Sequence, residues 1–286
     1  MSCLYLSGSG KAGVRFSGQG FSTLGLLSVS MEQCDAIILR VYPWSETSCV
    51  ATILTRSHGK IAALAKGARR PKSPFEAALD LLSVCRVVFI AKSADSLDIL
   101  TEAKLRRRFR IGAKDLLRLY CGYYVAELLD RLTEKGEQHP QIFDLALSTL
   151  DNLEREELEP RAIILRFELQ ILRELGHLPT WDRCAQCGCL LWEEDSEPND
   201  SWTLFSAFSG GVLCQHCRSG ARQILRIHRS VQSLLIRFSH PEWEAIDVSQ
   251  LESKHHAVIR KLMMRYFTYL MDSPIKLQNY LEELGR

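Results

Sequence analysis

The chain has 286 residues, 46% of them hydrophobic and 24% charged, with a formal net charge of +2. That is long enough for two or three domains with a real core, as in an ordinary soluble protein, and the overall charge identifies no partner until its distribution is known. Ten cysteines would argue for export only behind a signal peptide, which the first thirty residues do not form.

Residues 1–30 are interrupted by Gly8, Gly10, Gly13, Gly18, Gly20 and Gly25. Their one apolar run, 21–29, is too short and too serine-rich to span a bilayer. With Met31 standing just before the first strand-like pattern, these residues read as a disordered extension or a start site assigned too early. The chain is expected to be cytoplasmic, with reduced thiols and no membrane association.

From Asp35 the pattern turns to short β-rich runs at 36–41, 49–55, 60–66, 82–91 and 96–101, separated by polar turns such as Ser57-His58-Gly59. Five strands in so short a stretch predict a small closed barrel over residues 31–105, because closure removes exposed edges. The period then changes. Apolar residues at three-to-four spacing predict helices over 111–132, 142–153 and 160–175, with Pro160 in a first turn and Gly176 at a helix end. Further helices are predicted over 228–239 and 254–271, the second with a stripe that includes Met263 and Met271, read as core.

Two knuckles, Cys184-Ala185-Gln186-Cys187 and Cys214-Gln215-His216-Cys217, interrupt the helical part. Four thiolates in two Cys-x-x-Cys turns offer the tetrahedral sulfur set that Zn²⁺ takes at about 2.3 Å. A redox pair needs only one such motif in a βαβ context, and disulfides suit an exported chain, so zinc is the stronger reading. Nothing nearby leaves an open coordination position, which makes the ion structural. Cys189 and His216 are alternative ligands. Residues 190–209 read as a ribbon hairpin, giving a zinc ribbon over 183–218 inserted between helical parts at 106–182 and 219–286.

The charge is uneven. Arg56, Lys60, Lys66, Arg69, Arg70 and Lys72 occur with no acidic residue among them. A second cluster, Lys104, Arg106, Arg107, Arg108 and Arg110, falls where the barrel should pass to the helices, with Arg106 and Arg110 spaced for one helical face. One basic run is commonly a solvated face. Two beside one barrel favour nucleic acid, because cations release condensed counterions from phosphate. Trp44, with Tyr42 and Phe75 flanking, is a candidate for stacking on unpaired bases, although Tyr42 at a strand end also reads as core.

No Gly-rich phosphate loop, dinucleotide fingerprint, His-Glu-x-x-His or Gly-x-Ser-x-Gly is present. His255-His256 reads as solvent-exposed, and Asp35, Glu46 and Asp80 stand as isolated acids. A catalytic role and a small-molecule substrate are therefore not expected.

The pieces Ile37-Ile38-Leu39-Arg40, Glu46, Leu54-Thr55-Arg56-Ser57-His58-Gly59-Lys60 and Ala65-Lys66-Gly67-Ala68-Arg69-Arg70-Pro71-Lys72-Ser73 resemble the opening of the RecO family of DNA repair and recombination mediators. Gly176-His177-Leu178-Pro179, the paired knuckles, the approach at 205–211 and the tail at 277–284 agree in order and spacing, so the resemblance spans about residues 31–286. It implies an α+β protein: an N-terminal OB-fold barrel, then a helical domain with an inserted zinc ribbon. It also implies binding of single- and double-stranded DNA, annealing of complementary strands, and work with RecR to load RecA onto strands coated by single-strand-binding protein, whose C-terminal tail such proteins accept. By residue match, Arg40, Arg56, Lys60, Lys66, Arg69, Arg70 and Lys72 are the basic positions carried over. A zinc-containing protein-interaction scaffold without direct DNA binding is the alternative, and an enzyme with a catalytic zinc a third reading.

Overall fold

The computed structural model describes residues 30–73, 75, 78–92, 96–112, 115–191, 202–240 and 253–277. The expectation for the first thirty residues therefore lies, save Ser30, outside the described residues, as does the whole tail after Leu277.

Five strands form the first unit: β1 (Met31–Pro43), β2 (Cys49–Thr55), β3 (Gly59–Ala65), β4 (Val84–Ile90) and β5 (Asp98–Arg107). They close as β1-β2-β3-β5-β4, antiparallel except for the β3–β5 pair. Side chains alternate across each strand, so one set points inward. That set is mostly small, with Cys34, Ala36, Cys49, Ala51, Ala63, Ala65 and Cys85 leaving room for Ile38, Ile53, Phe75, Phe89 and Leu100 to fill the lumen. β1 reads as a continuous apolar run because its other face is covered too. Ile37, Leu39 and Leu54 leave the lumen and join Cys121, Tyr124 and Val125 in the core of the helical part.

That part consists of α1 (Leu116–Leu132), α2 (Pro140–Leu153), α3 (Pro160–Glu174), α4 (Arg229–Phe238) and α5 (Ser253–Met271). The first helix begins at Leu116, not near residue 111, because Asp115 accepts from the Arg118 backbone N–H and starts the turn there. Arg118 is itself buried. Its guanidinium donates to the carbonyl of Leu153, the last residue of α2, at 3.2 Å and to those of Arg155 at 2.8 Å, Glu156 at 2.9 Å and Leu158, and so gathers the loop between α2 and α3 around one buried cation. Pro160 opens α3, and Gly176 closes it with φ +72°, its N–H bonded to Arg173 and the next N–H to Leu172 at 2.7 Å.

Three helices meet on a buried charge. Glu168 of α3, fully enclosed, accepts from the Tyr124 hydroxyl of α1 and from the Arg260 guanidinium of α5. Arg260 also lies 5.5 Å from the centre of the Tyr124 ring.

The remaining strands, β6 (Trp202–Ser206), β7 (Gly211–Leu213) and β8 (Ile224–His228), form a sheet in the order β7-β6-β8. The expected hairpin is thus a three-stranded sheet, with residues 192–201 outside the described residues. Its inner face stacks Phe205 on Trp181 at 5.4 Å and sets it edge-on to Tyr266 of α5 at 5.8 Å. Thr203 donates to Gln232 of α4 at 2.8 Å. Among the described helices, none is long and apolar enough to cross a membrane.

Candidate nucleic-acid interface and metal centre

The barrel has two differently employed ends. At one, the turn 56–58 and Gly59 meet the helices. Arg56 forms a two-pronged pair with Asp144 of α2, at 3.0 and 2.8 Å. Lys60 donates to the Asp130 carbonyl and lies 3.8 Å from its carboxylate. Burial, only partly countered by Asp130 and Glu134, draws the Lys60 ammonium below its ordinary pKa. Gly59, at φ +67°, leaves no room for a Cβ, which would lie 2.0 Å from the Glu137 carbonyl oxygen. Arg107 pairs with Asp151 and stands 3.9 Å from Glu154.

The other end is formed by two loops. Trp44 to Ser48 makes a turn closed by Trp44 N–H to the Ser48 carbonyl at 3.0 Å. The loop that begins at Lys66 is tied to it, with Arg69 N–H donating to the Thr47 carbonyl at 2.9 Å and Gly67 N–H to Ser48 Oγ at 3.3 Å. Arg40, Lys66, Arg69, Arg70 and Lys72 are exposed here, beside Tyr42 (38% exposed) and Trp44 (60%). The Arg40 guanidinium lies 5.6 Å from the centre of the Tyr42 ring. A cleft of about 300 Å³ opens between Tyr42, Pro43, Cys49, Arg69 and Leu79.

The ten basic candidates therefore separate. Arg40, Lys66, Arg69, Arg70 and Lys72 share the loop end, whereas Arg56, Lys60 and Arg107 each face a carboxylate of the helical part. Arg106 is exposed and Arg108 half-buried near the end of β5. The expectation that Arg106 and Arg110 share a helical face is overturned, because residues 98–107 continue as a strand paired with β4 and successive side chains alternate. Phe75 is no stacking platform either. It is 4% exposed and fills the lumen, a role the alternation of short strands could not assign to a loop residue.

In the small lobe, Cys184, Cys187, Cys214 and Cys217 bring their sulfurs within 4.8 Å of one another. A tetrahedral S₄ site with bonds of about 2.3 Å requires sulfur separations of about 3.8 Å, and Cys187 and Cys214 stand at 3.8 Å. The knuckles are shaped by the backbone. Gly188 N–H donates to Cys184 at 2.8 Å, Cys184 N–H to Cys189 at 2.8 Å, and Ala185 N–H to Val212 of β7 at 2.8 Å. Burial would raise the Cys184 thiol, but hydrogen bonds from the backbone of Cys214, Cys187 and Gln186 outweigh it and lower it to about 6. The Cys214 and Cys187 sulfurs push Cys217 up to about 12, since packed thiolates resist joint ionisation without a cation. The donor set fits a soft, tetrahedral divalent ion. Cys189 and His216 are not in the four-sulfur group.

Arg118 and the Tyr124–Glu168–Arg260 group were not distinguished from their helical stripes by sequence reasoning. A charged residue within each apolar pattern was the available signal.

The chain matches the family described as Recombination protein O N terminal over residues 29–109 and that described as Recombination protein O C terminal over residues 113–278. It is 45% identical over 190 residues to the DNA repair protein RecO of Rhodopirellula baltica, covering 66% of this chain and 68% of that relative. It is 27% identical over 252 residues to the DNA repair protein RecO of Halalkalibacterium halodurans, covering 88% and 94% respectively. Its identity to the DNA repair protein RecO of Symbiobacterium thermophilum is 27% over 256 residues, 90% of this chain and 98% of the relative.

Proposed function

The chain belongs to the RecO family, and from that premise we propose that it is a non-catalytic DNA-binding mediator of repair and recombination. We read the five-stranded barrel as an OB-fold that holds single- and double-stranded DNA along its loop end and anneals complementary strands. The observation that carries this reading is the exposed, predominantly basic surface formed by Arg40 and Tyr42 near the end of β1 with Trp44, Lys66, Arg69, Arg70 and Lys72 on two loops bonded to each other, where five cations outnumber the acids Glu46 and Asp80. Cations track phosphate without reading sequence, and exposed rings accept any base. Arg106 and Arg108 extend the surface in this proposal, while Arg56, Lys60 and Arg107 contribute little to it, being already engaged by carboxylates.

The small lobe is a zinc ribbon in this reading. Cys184, Cys187, Cys214 and Cys217 hold a structural Zn²⁺, which supplies folding free energy to a lobe too small for a sufficient core. RecR, the C-terminal tail of single-strand-binding protein and, indirectly, RecA are the partners that follow from family membership, with the cytoplasm as the site of action.

The test is a salt-titrated binding curve on a labelled single strand. Five neutralised phosphates give a log–log slope of about −3 to −4. Replacing Lys66, Arg69, Arg70 and Lys72 together with Ala should weaken binding alike for all sequences and flatten that slope. Unchanged binding by this variant, or a parent protein indifferent to salt, refutes the reading. A protein that recovers its partners yet shifts no oligonucleotide would be the scaffold.

A further inference from the structure

We propose that the outer face of β6 and β8 is a second nucleic-acid site, separate from the barrel, that stacks unpaired bases on Trp202 and Arg226. The proposal rests on the DNA-binding reading above and adds to it a position for a second strand.

The register creates the face. Trp202 pairs with His228, Leu204 with Arg226 and Ser206 with Ile224, so these positions share one side of the sheet, open at Trp202, Arg226, His228 and Ile224 and closed over the buried Ser206, which donates to the Arg222 carbonyl at 2.9 Å, while Thr203, Phe205 and Ile227 turn to the core. Trp202 is 47% exposed although it belongs to an ordered strand. Its ring is held edge-on by His228 at 5.3 Å, and the Arg226 guanidinium lies over it at 5.3 Å. A planar cation stacked on an indole is a two-layer surface on which a base ring can continue the stack. Buried packing does not account for this exposed face, since Phe205 on the opposite side supplies the contacts to Trp181 and Tyr266.

The charge agrees. Residues 202–240 contain Arg218, Arg222, Arg226, Arg229 and Arg237 and no aspartate or glutamate. At the Ser206–Ile224 end of the same strands, the exposed Arg222 lines a cleft of about 640 Å³ with Gln186 and Ser219 and offers a second cation to a strand leaving Trp202 along the sheet, while the Phe208 ring in that cleft is engaged with Tyr269 of α5 at 6.2 Å. With one cation, Arg226, in the stacked platform against five at the barrel, binding here is carried more by stacking than by charge and is less salt-sensitive than at the barrel. Two sites on one chain also give annealing a physical basis, since one molecule then holds two strands at once.

The experiment uses the full chain and labelled oligothymidylate in four forms: parent, the barrel quadruple variant, Trp202→Ala and Arg226→Ala, with Trp202→Phe as the conservative control. Loss of one stacked base weakens binding by roughly five- to hundredfold. Trp202→Ala should show that loss with the salt slope unchanged, Trp202→Phe should largely restore affinity, and Arg226→Ala should weaken binding and reduce the slope by about one. Energy transfer between donor- and acceptor-labelled non-complementary strands held on one parent molecule should disappear in Trp202→Ala. Should Trp202→Ala fail to fold, as read by metal content and thermal unfolding, the exposed Arg226→Ala decides. If both platform variants bind like the parent while the barrel variant does not, the second site is overturned and the barrel reading stands. If the parent binds no oligonucleotide, both fall. If the platform variants lose only binding to an oligoglutamate peptide, the face is a protein-docking surface and the proposal is wrong.

Discussion

Arg56 and Asp144 close a two-pronged ion pair, 3.0 and 2.8 Å, that fastens the β2–β3 turn to the middle of α2. Each fixes the other. The Arg56 hydrogen bond holds the Asp144 carboxyl below its ordinary range, and Asp144 raises the guanidinium further. A cation so committed adds little to phosphate binding. Arg56→Ala should therefore leave oligonucleotide affinity and salt slope unchanged while lowering the melting temperature slightly, whereas Arg69→Ala should reduce the slope by about one with the melting temperature intact. Anisotropy and thermal melts on the two variants separate the roles, and equal losses of affinity would contradict the division of the cations.

The same junction depends on an absent side chain. Gly59 combines φ +67° with a virtual Cβ 2.0 Å from the backbone oxygen of Glu137. Gly59→Ala thus adds a left-handed penalty to an overlap with main chain that cannot rotate away. The expected loss is about 2–4 kcal/mol in urea unfolding, with the barrel loops and their binding surface unaltered in the folded fraction.

Much of this was legible in the sequence, for physical reasons. Alternation over short runs gave the barrel, and two Cys-x-x-Cys turns gave the four-sulfur cluster, since both are local patterns with few alternatives. What failed were statements requiring a partner from far along the chain. Arg106 and Arg110 read as sharing one helical face because a run of basic residues carries no periodicity of its own, and only pairing with β4 makes residues 98–107 a strand. Arg56 and Arg69 look alike in sequence. Asp144, far away on α2, distinguishes them. Phe75 resembled an exposed ring because the lumen it fills exists only once five strands close.

Metal removal should act locally. The knuckles are bonded to β7 through Ala185 and Val212, and the sheet behind them is anchored by Phe205 on Trp181 and Tyr266. Isolated zinc fingers owe about 10–16 kcal/mol of apparent binding to the ion, but here the α4 and α5 contacts hold part of the lobe without it. Chelation, or Cys184→Ser, should loosen the knuckles and change the Trp181 environment in near-ultraviolet circular dichroism. The far-ultraviolet helix signal should stay nearly constant. Global unfolding on chelation would show that the lobe supports the helical part more deeply.

The Tyr124–Glu168–Arg260 group predicts a contrast between breaking and replacing. Glu168→Ala strands the Arg260 guanidinium in the core, and should cost about 3–5 kcal/mol. Substituting all three together, Tyr124→Phe with Glu168→Leu and Arg260→Met, removes every polar atom that needs a partner and should recover most of that loss. Chemical denaturation of both variants measures the difference. A triple variant as unstable as Glu168→Ala would mean that the network sets helix geometry as well as satisfying its own charges.

His256 of α5 gives the pH dependence. Burial chiefly, with repulsion from Arg260 and Arg161, lowers its imidazole to about 4 from the ordinary 6.5. The folded state therefore resists protonation that the unfolded chain accepts, so the unfolded state binds more protons throughout the interval between those values. Stability is full above about pH 6.5 and declines as the pH falls toward 4, where both states are protonated and the decline ends. Because the ring is only partly enclosed, solvent screening limits the total to on the order of 1–2 kcal/mol. Carboxylates held low by cations, such as Asp144, begin to titrate only near the bottom of this interval. Urea midpoints at pH 7 and pH 5 thus report mainly on His256. The parent should lose stability between them, and His256→Gln should lose markedly less; equal losses in the two proteins would place the proton uptake on another group.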